Sequence, residues 1–258
     1  MIENIVNCYG DNIVEAYHNS LVQLHDKGEI SDCLDWNTTQ KECNMTIVVN
    51  NPMKEPMISK CFIGGVRELQ QYIMEILDGI LDFEIEKGNW AYTYHDRMVN
   101  YDGNNQIDFV VNELKRNPSS RRAVIIVRNS SDIGSNDPSC LQHIQFFIRN
   151  GKLDCNVLFR SNDACKATFM NMFALVMLQK RIADTLEVEV GTYIHRANSF
   201  HCYEKDFGML EGYVNRIINS DLENLSYSYI DDWKELMDDC IDDIMKTVKQ
   251  LNKNKKVR

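Results

Sequence analysis

Residues 142–160 read Gln142-His143-Ile144-Gln145-Phe146-Phe147-Ile148-Arg149-Asn150-Gly151-Lys152-Leu153-Asp154-Cys155-Asn156-Val157-Leu158-Phe159-Arg160. The Asn150-Gly151 pair is the strongest hairpin signal in the chain, because both residues accept the positive φ that a two-residue turn requires. It predicts two antiparallel strands, Gln142 to Arg149 and Leu153 to Arg160. The next long segment, Thr168 to Thr185, is apolar nearly all round (Phe169, Met172, Phe173, Leu175, Val176, Leu178), the pattern of a helix enclosed by its neighbours. Glu187 to Ile194 returns as a strand. Upstream, Arg122 to Arg128 encloses a continuous β-branched run that predicts another buried strand. A hairpin feeding a buried helix, with strands on both sides, makes the chain α+β.

Upstream of these strands, Asn105 to Arg116 predicts a helix stopped by Asn117-Pro118. Val66 to Leu81 predicts another, with Leu69, Ile73, Ile76, Leu77 and Ile80 on its apolar side. Asp11 to Gly28 spaces Ile13, Val14, Tyr17, Leu21 and Leu24 as a helix ending in glycine. Met45 to Asn50 is a short strand, and an acidic helix begins near Asp231. With no repeat, low-complexity stretch or boundary, the expectation is a single domain over residues 1–258, frayed over 250–258.

Composition narrows the function. The chain has 258 residues, 44% hydrophobic and 26% charged, enough to bury a full core. A net charge of −10 argues against coating nucleic acid or an anionic membrane, so an anionic substrate would need a local arginine cluster. No window approaches 18 uninterrupted apolar residues. Met1-Ile2-Glu3-Asn4 lacks a basic segment leading into an apolar one. Nine cysteines are scattered with no Cys-x-x-Cys, which excludes a zinc ribbon and makes a disulfide framework a poor fit. The expectation is a cytoplasmic chain with reduced thiols, no bound metal, and no nucleic-acid or membrane partner.

Three stretches exceed what a core requires. Arg121-Arg122 stands at a strand entrance, where solvated surface is the competing reading. Cys140 follows a turn at the mouth of a strand, a better place to react than a buried thiol has. Arg160-Ser161-Asn162-Asp163 supplies a guanidinium fork and a hydroxyl suited to phosphate, shortly before Asn171. That asparagine lies within an apolar helix and must find hydrogen-bond partners, which a ligand can supply.

In this order the residues resemble the thymidylate synthase family, from about Tyr92 to Phe207, with a weaker extension back to Ile13. The matching elements are Asn117-Pro118-Ser119-Ser120-Arg121-Arg122, Cys140 with Gln145-Phe146, Gly151-Lys152-Leu153, Arg160-Ser161-x-Asp163, Asn171, Gly191 and His201-x-Tyr203. The resemblance implies a sandwich whose large twisted sheet backs a homodimer interface. It implies a pyrimidine nucleoside monophosphate as substrate and 5,10-methylenetetrahydrofolate as cosubstrate. Cys140 then matches the nucleophile that adds to carbon 6 of the pyrimidine. Arg160 and Ser161 match phosphate ligands of the same subunit, and Arg121 and Arg122 the pair that reaches that phosphate across the dimer. His201 and Tyr203 match the residues that bond the sugar hydroxyl; polar loop surface is their alternative. Asp163 matches the carboxylate that anchors the pterin, with helix capping as its alternative. Asn171 matches the residue that reads the base edge. Glu75 matches the glutamate that organises proton transfer, with an ordinary exposed helix glutamate as the alternative, and Tyr92 a tyrosine of the relay segment.

The chain also departs from that pattern. Leu141 stands where the family usually has histidine after the nucleophile. Asp35-Trp36-Asn37-Thr38-Thr39 has no arginine where an early phosphate loop is expected. Asp78 replaces a tryptophan that packs on folate, and the last residues, Lys255-Lys256-Val257-Arg258, do not resemble the apolar closing tail. A looser, wetter site favours water over hydride at the last step, so hydroxymethylation is expected, as in the deoxycytidylate and cytidylate hydroxymethylases. Methylation of dUMP and a non-catalytic nucleotide-binding relative are the alternatives. Asn171 suits uracil, and its amide could flip for cytosine. The sugar stays open, since it depends on packing around Phe200 and Ala197.

Overall fold

The computed structural model describes residues 5–253. In chain order, its first half contains β1 (Ile5–Gly10), α1 (Ile13–Lys27), β2 (Glu29–Cys33), β3 (Thr38–Val49), β4 (Ile58–Ser59), α2 (Val66–Asp78), α3 (Phe83–Glu86), α4 (Tyr94–Val99) and α5 (Gln106–Arg116). There follow β5 (Val124–Ile126), β6 (Leu141–Arg149), β7 (Lys152–Asp163), α6 (Thr168–Thr185), β8 (Glu189–Tyr203), α7 (Phe207–Ile218), β9 (Ser226–Tyr227) and α8 (Lys234–Lys253). Seven strands form one mixed sheet in the order β1-β3-β8-β7-β6-β5, with β2 also pairing with β3; β4 and β9 form a separate ribbon.

The hairpin forms as expected. Asn150 and Gly151 take φ 52 and 75, and Arg149 pairs with Lys152 across the turn. Along β7 the core face is Leu153, Cys155, Val157 and Phe159, all buried, as period-two alternation requires. Helix α6 packs over β7 and β8. Its buried Gln179 donates through Nε2 to the carbonyls of Leu153 (2.7 Å) and Gly191 (3.2 Å). A Cβ on Gly191 would lie 2.3 Å from Asp154 Oδ1 and 3.0 Å from the Leu153 carbonyl carbon, so a side chain there would have to push Asp154 aside. On the opposite face of the sheet Ile5, Tyr9 and Ile126 remain exposed.

Several boundaries differ from the sequence expectation. Strand β5 is only three residues long, because it is a sheet edge whose outer backbone bonds with the Gln106 amide: Ile126 N–H donates to Oε1 and Nε2 donates to Ile126 O. Strand β8 continues nine residues beyond Ile194, held by β3 and β7 on either side. Helix α2 stops at Asp78, where Gly79 takes a left-handed cap. Strands β1 and β2 and helix α7 lie in segments where no element was expected. The C-terminal residues 250–253 are helical rather than frayed, and residues 254–258 of that expectation lie outside the described residues. Helix α8 packs on the back of α2 and the turn that follows it, through Met74, Leu81, Ile244 and Val248, with Arg67 pairing with Asp243 at 3.3 Å.

Candidate active site

Cys140 stands immediately before β6, at the end of a loop that is pinned from below. Ser139 is fully buried, and its hydroxyl donates to Asp132 Oδ2 at 3.0 Å. Asp132 in turn pairs with buried Arg97 at 3.0 Å. From the side, Arg160 donates through Nε to Ser139 O (3.2 Å) and through Nη2 to Pro138 O (2.8 Å). The register of β7 against β6 also lets Arg160 N–H donate to Cys140 O at 2.8 Å. The thiol is thus fixed at a strand mouth, half-buried. Burial raises its pKa, the Arg160 guanidinium lowers it and Asp137 raises it, with a net upward result.

A cavity of about 620 Å³ opens over this thiol. Its walls include Cys140, Arg160, Ser161, Asp163, Asn171, His201 and Tyr203, so seven of the expected site residues meet in one space. Parallel pairing of β7 and β8 sets Ser161 opposite Ser199 and Asp163 opposite His201. His201 Nδ1 lies 3.3 Å from Ser161 Oγ, and its ring meets Tyr203 edge-on at 4.8 Å. Both belong to β8 or its end, not to a loop. One oxygen of Asp163 accepts the N–H groups of Cys165 (3.0 Å) and Lys166 (2.9 Å), so this carboxylate caps the turn before α6 as well as facing the cavity.

A second cavity, about 430 Å³, adjoins the first and shares Tyr72, Tyr94 and Asp137 with it. Glu75 and Tyr92 line this one, with Trp90. Glu75 is half-buried and not an ordinary exposed helix residue. Burial raises its carboxyl pKa, against a smaller lowering by Gln71, whose Nε2 donates to Oε1 at 2.9 Å. Burial, then the nearby Asp137 and Cys140, push the Tyr92 hydroxyl up to about 12. The tyrosine that reaches the backbone beside Cys140 is Tyr94, whose hydroxyl accepts the Leu141 N–H at 3.3 Å.

Arg121 and Arg122 stand apart from both cavities. Both are exposed, beside the short edge strand β5, and Gln145 holds the Arg121 carbonyl at 3.0 Å. Asp78, at the place expected for a folate tryptophan, pairs with Arg181 at 3.0 Å. Sequence reasoning missed Tyr72, Tyr94, Lys166 and Trp90. Tyr72 could have been found from its position one helical turn before Glu75, on the same face of α2. Lys166 carried no signal: its cavity position depends on Asp206, which it meets at 2.5 Å across 40 residues of chain. Among the described residues there is no His, Cys, Asp or Glu cluster able to hold a metal, and no helix is long and apolar enough to cross a membrane.

The thymidylate synthase family model matches residues 63–258. A Methanocaldococcus jannaschii protein provisionally named thymidylate synthase is 33% identical over 213 residues, covering 78% of this chain and 92% of the relative. A Methanosarcina barkeri protein with the same provisional name is 28% identical over 209 residues, covering 80% and 93%. The thymidylate synthase of Bacillus licheniformis is 33% identical over 157 residues, 56% of each chain.

Proposed function

The chain belongs to the thymidylate synthase family, and from that premise we propose that it is a one-carbon transferase acting at carbon 5 of a pyrimidine nucleoside monophosphate. The donor is 5,10-methylenetetrahydrofolate, the cosubstrate of the family. The observation that carries this reading is the convergence of Cys140, Arg160, Ser161, Asn171, His201 and Tyr203 on one cavity. We treat residues 1–258 as one catalytic domain.

In this reading the Cys140 thiolate adds to carbon 6, and the electron pair displaced from the ring makes carbon 5 nucleophilic. A thiol with a raised pKa must first lose its proton, so approach of the anionic substrate works against thiolate formation unless cations offset it. Arg160 is placed to do so, within reach of both the thiol loop and a phosphate beside Ser161. Arg121 and Arg122 complete that phosphate site from the second subunit of a homodimer. Their exposure away from their own subunit's cavity supports this, as does the exposed sheet face bearing Ile5, Tyr9 and Ile126. His201 and Tyr203 hold the sugar hydroxyl, Asp163 anchors the pterin, and Asn171 reads the base edge. Glu75, poised by burial to hold a proton, works with Tyr92 and Tyr94 to move protons to and from the ring.

After transfer, the one-carbon unit is an exocyclic methylene on the ring, with two fates. Water addition gives the hydroxymethyl product; the Asp78–Arg181 ion pair, polar where an aromatic is expected, and the packing of α8 behind α2 favour it. Hydride transfer from the folate gives the methyl product. Trp90 and Tyr92, aromatic walls of the second cavity, favour this second reading, and the relatives named above bear the name of methylating enzymes. Release of tritium from carbon 5 of the labelled nucleotide, dependent on the folate, tests the shared steps; its absence with uracil and cytosine nucleotides alike overturns the proposal in favour of a non-catalytic nucleotide binder.

A further inference from the structure

Asn171 projects from α6 into the larger cavity while being only 6% exposed. Its Oδ1 accepts a hydrogen bond from the hydroxyl of Tyr72 on α2. Among the described residues this is the only side-chain hydrogen bond either residue makes. The amide nitrogen Nδ2 therefore has no partner among the described residues, and Glu75, one turn along α2, makes no hydrogen bond to the Tyr72 hydroxyl.

We infer that Tyr72 sets the base preference of the site by holding the Asn171 amide in the orientation that reads a uracil edge. With Tyr72 donating to Oδ1, Nδ2 remains as a donor for a ring carbonyl such as O4. The second lone pair of Oδ1 remains for the ring N3–H. A cytosine edge reverses this pattern, since N3 accepts and the exocyclic amine donates. Reading it requires the amide to turn over, presenting Nδ2 to Tyr72. The phenol oxygen can accept that bond, but its own proton then has no acceptor. Burial and the neighbouring Glu75 raise the pKa of this hydroxyl, so it stays protonated and cannot escape the conflict by ionising. A buried donor left without a partner corresponds to roughly a tenfold penalty on the cytosine nucleotide. Tyr72 acts through Asn171 and is a positioning residue.

This inference rests on the nucleotide-site reading above, and the test separates the two. Equilibrium dissociation constants for dUMP and dCMP are measured with the full chain carrying Cys140→Ala, which prevents covalent addition, alone and combined with Tyr72→Phe, with Asn171→Ala, and with both. The expected result is a preference for dUMP that narrows roughly tenfold in Tyr72→Phe and is indifferent to Tyr72 once Asn171 is alanine. The ratio of the two constants is unaffected by any misfolded fraction, which lowers the binding capacity for both nucleotides alike. Equal weakening of both nucleotides by Tyr72→Phe, or a starting preference for dCMP, overturns the inference and leaves the nucleotide site standing. Binding of neither nucleotide overturns both.

Discussion

Arg160 donates through Nε to the carbonyl oxygen of Ser139, at 3.2 Å, so the cation nearest the candidate nucleophile also shapes the loop that presents it. The same side chain lowers the Cys140 pKa while burial raises it. Loop geometry and thiol acidity are therefore coupled through one residue, and they should fail together.

The first prediction follows from that coupling. Only the thiolate reacts with iodoacetamide, so alkylation of Cys140, followed by peptide mass spectrometry, should rise with pH and reach its midpoint above the ordinary thiol value. In Arg160→Gln the one lowering influence is gone. Its midpoint should move higher still, and its rate at pH 8 should fall several-fold, since one pKa unit is about a tenfold change in thiolate. A faster or unchanged rate would show that Arg160 does not act on the thiol.

The second prediction concerns subunit sharing. An Arg122→Ala chain and a Cys140→Ala chain should each be nearly inactive alone. Mixed under conditions in which subunits exchange, they should recover up to about a quarter of wild-type tritium release, because one hybrid site has both residues intact. No recovery despite exchange, shown by mass-tagged subunits, would place Arg122 outside the partner's site.

The third prediction concerns the product. The enzyme is incubated with methylenetetrahydrofolate and each of dUMP, UMP, dCMP and CMP, and nucleotide and folate are weighed by mass spectrometry. Water addition leaves tetrahydrofolate and a hydroxymethyl nucleotide; hydride transfer leaves dihydrofolate and a methyl nucleotide. If Trp90 supplies the aromatic packing that Asp78 does not, Trp90→Ala should lower the methyl share several-fold relative to hydroxymethyl. An unchanged product ratio would remove Trp90 from the folate site.

The fourth prediction is structural. Burial alone would raise the Asp132 pKa, but the Asn129 N–H, the Ser139 hydroxyl and the Arg97 and Arg128 guanidiniums together bring it below the ordinary value. Stability from Asp132 is thus complete above the carboxyl pKa of the unfolded chain, about 3.9, and is lost as pH falls through the lower folded value. Asp132→Asn should remove this acid dependence and cost about 3 kcal/mol at pH 7, the usual loss when one partner of a buried pair is removed. Urea midpoints at pH 7 and pH 3.5 measure it, and equal slopes with pH in wild type and variant would contradict it.

Much of the fold was legible because its signals are local. Asn150-Gly151 takes the two positive φ values of its turn whatever surrounds it. The apolar circumference of residues 168–185 can be buried only by enclosure. Strand limits were less legible: β5 shrank to three residues because Gln106 competes for its outer backbone, and β8 outran its hydrophobic stretch because β3 and β7 hold its polar end. Neither effect is local.

The order of chemistry-bearing residues, Cys140, Arg160-Ser161, Asp163, Asn171 and His201-x-Tyr203, and with it the family, can be read along the chain without any structure. The surroundings of these residues came from the folded arrangement. It set Tyr94 rather than Tyr92 against the backbone beside Cys140, put Glu75 in a second cavity beside Trp90, and gave Asn171 a partner in Tyr72, 99 residues away. It also left Arg121 and Arg122 outside both cavities. The physical reason is that residue type and spacing carry covalent reactivity and backbone preference, whereas pKa, amide orientation and cavity walls depend on atoms that packing brings together from distant parts of the chain.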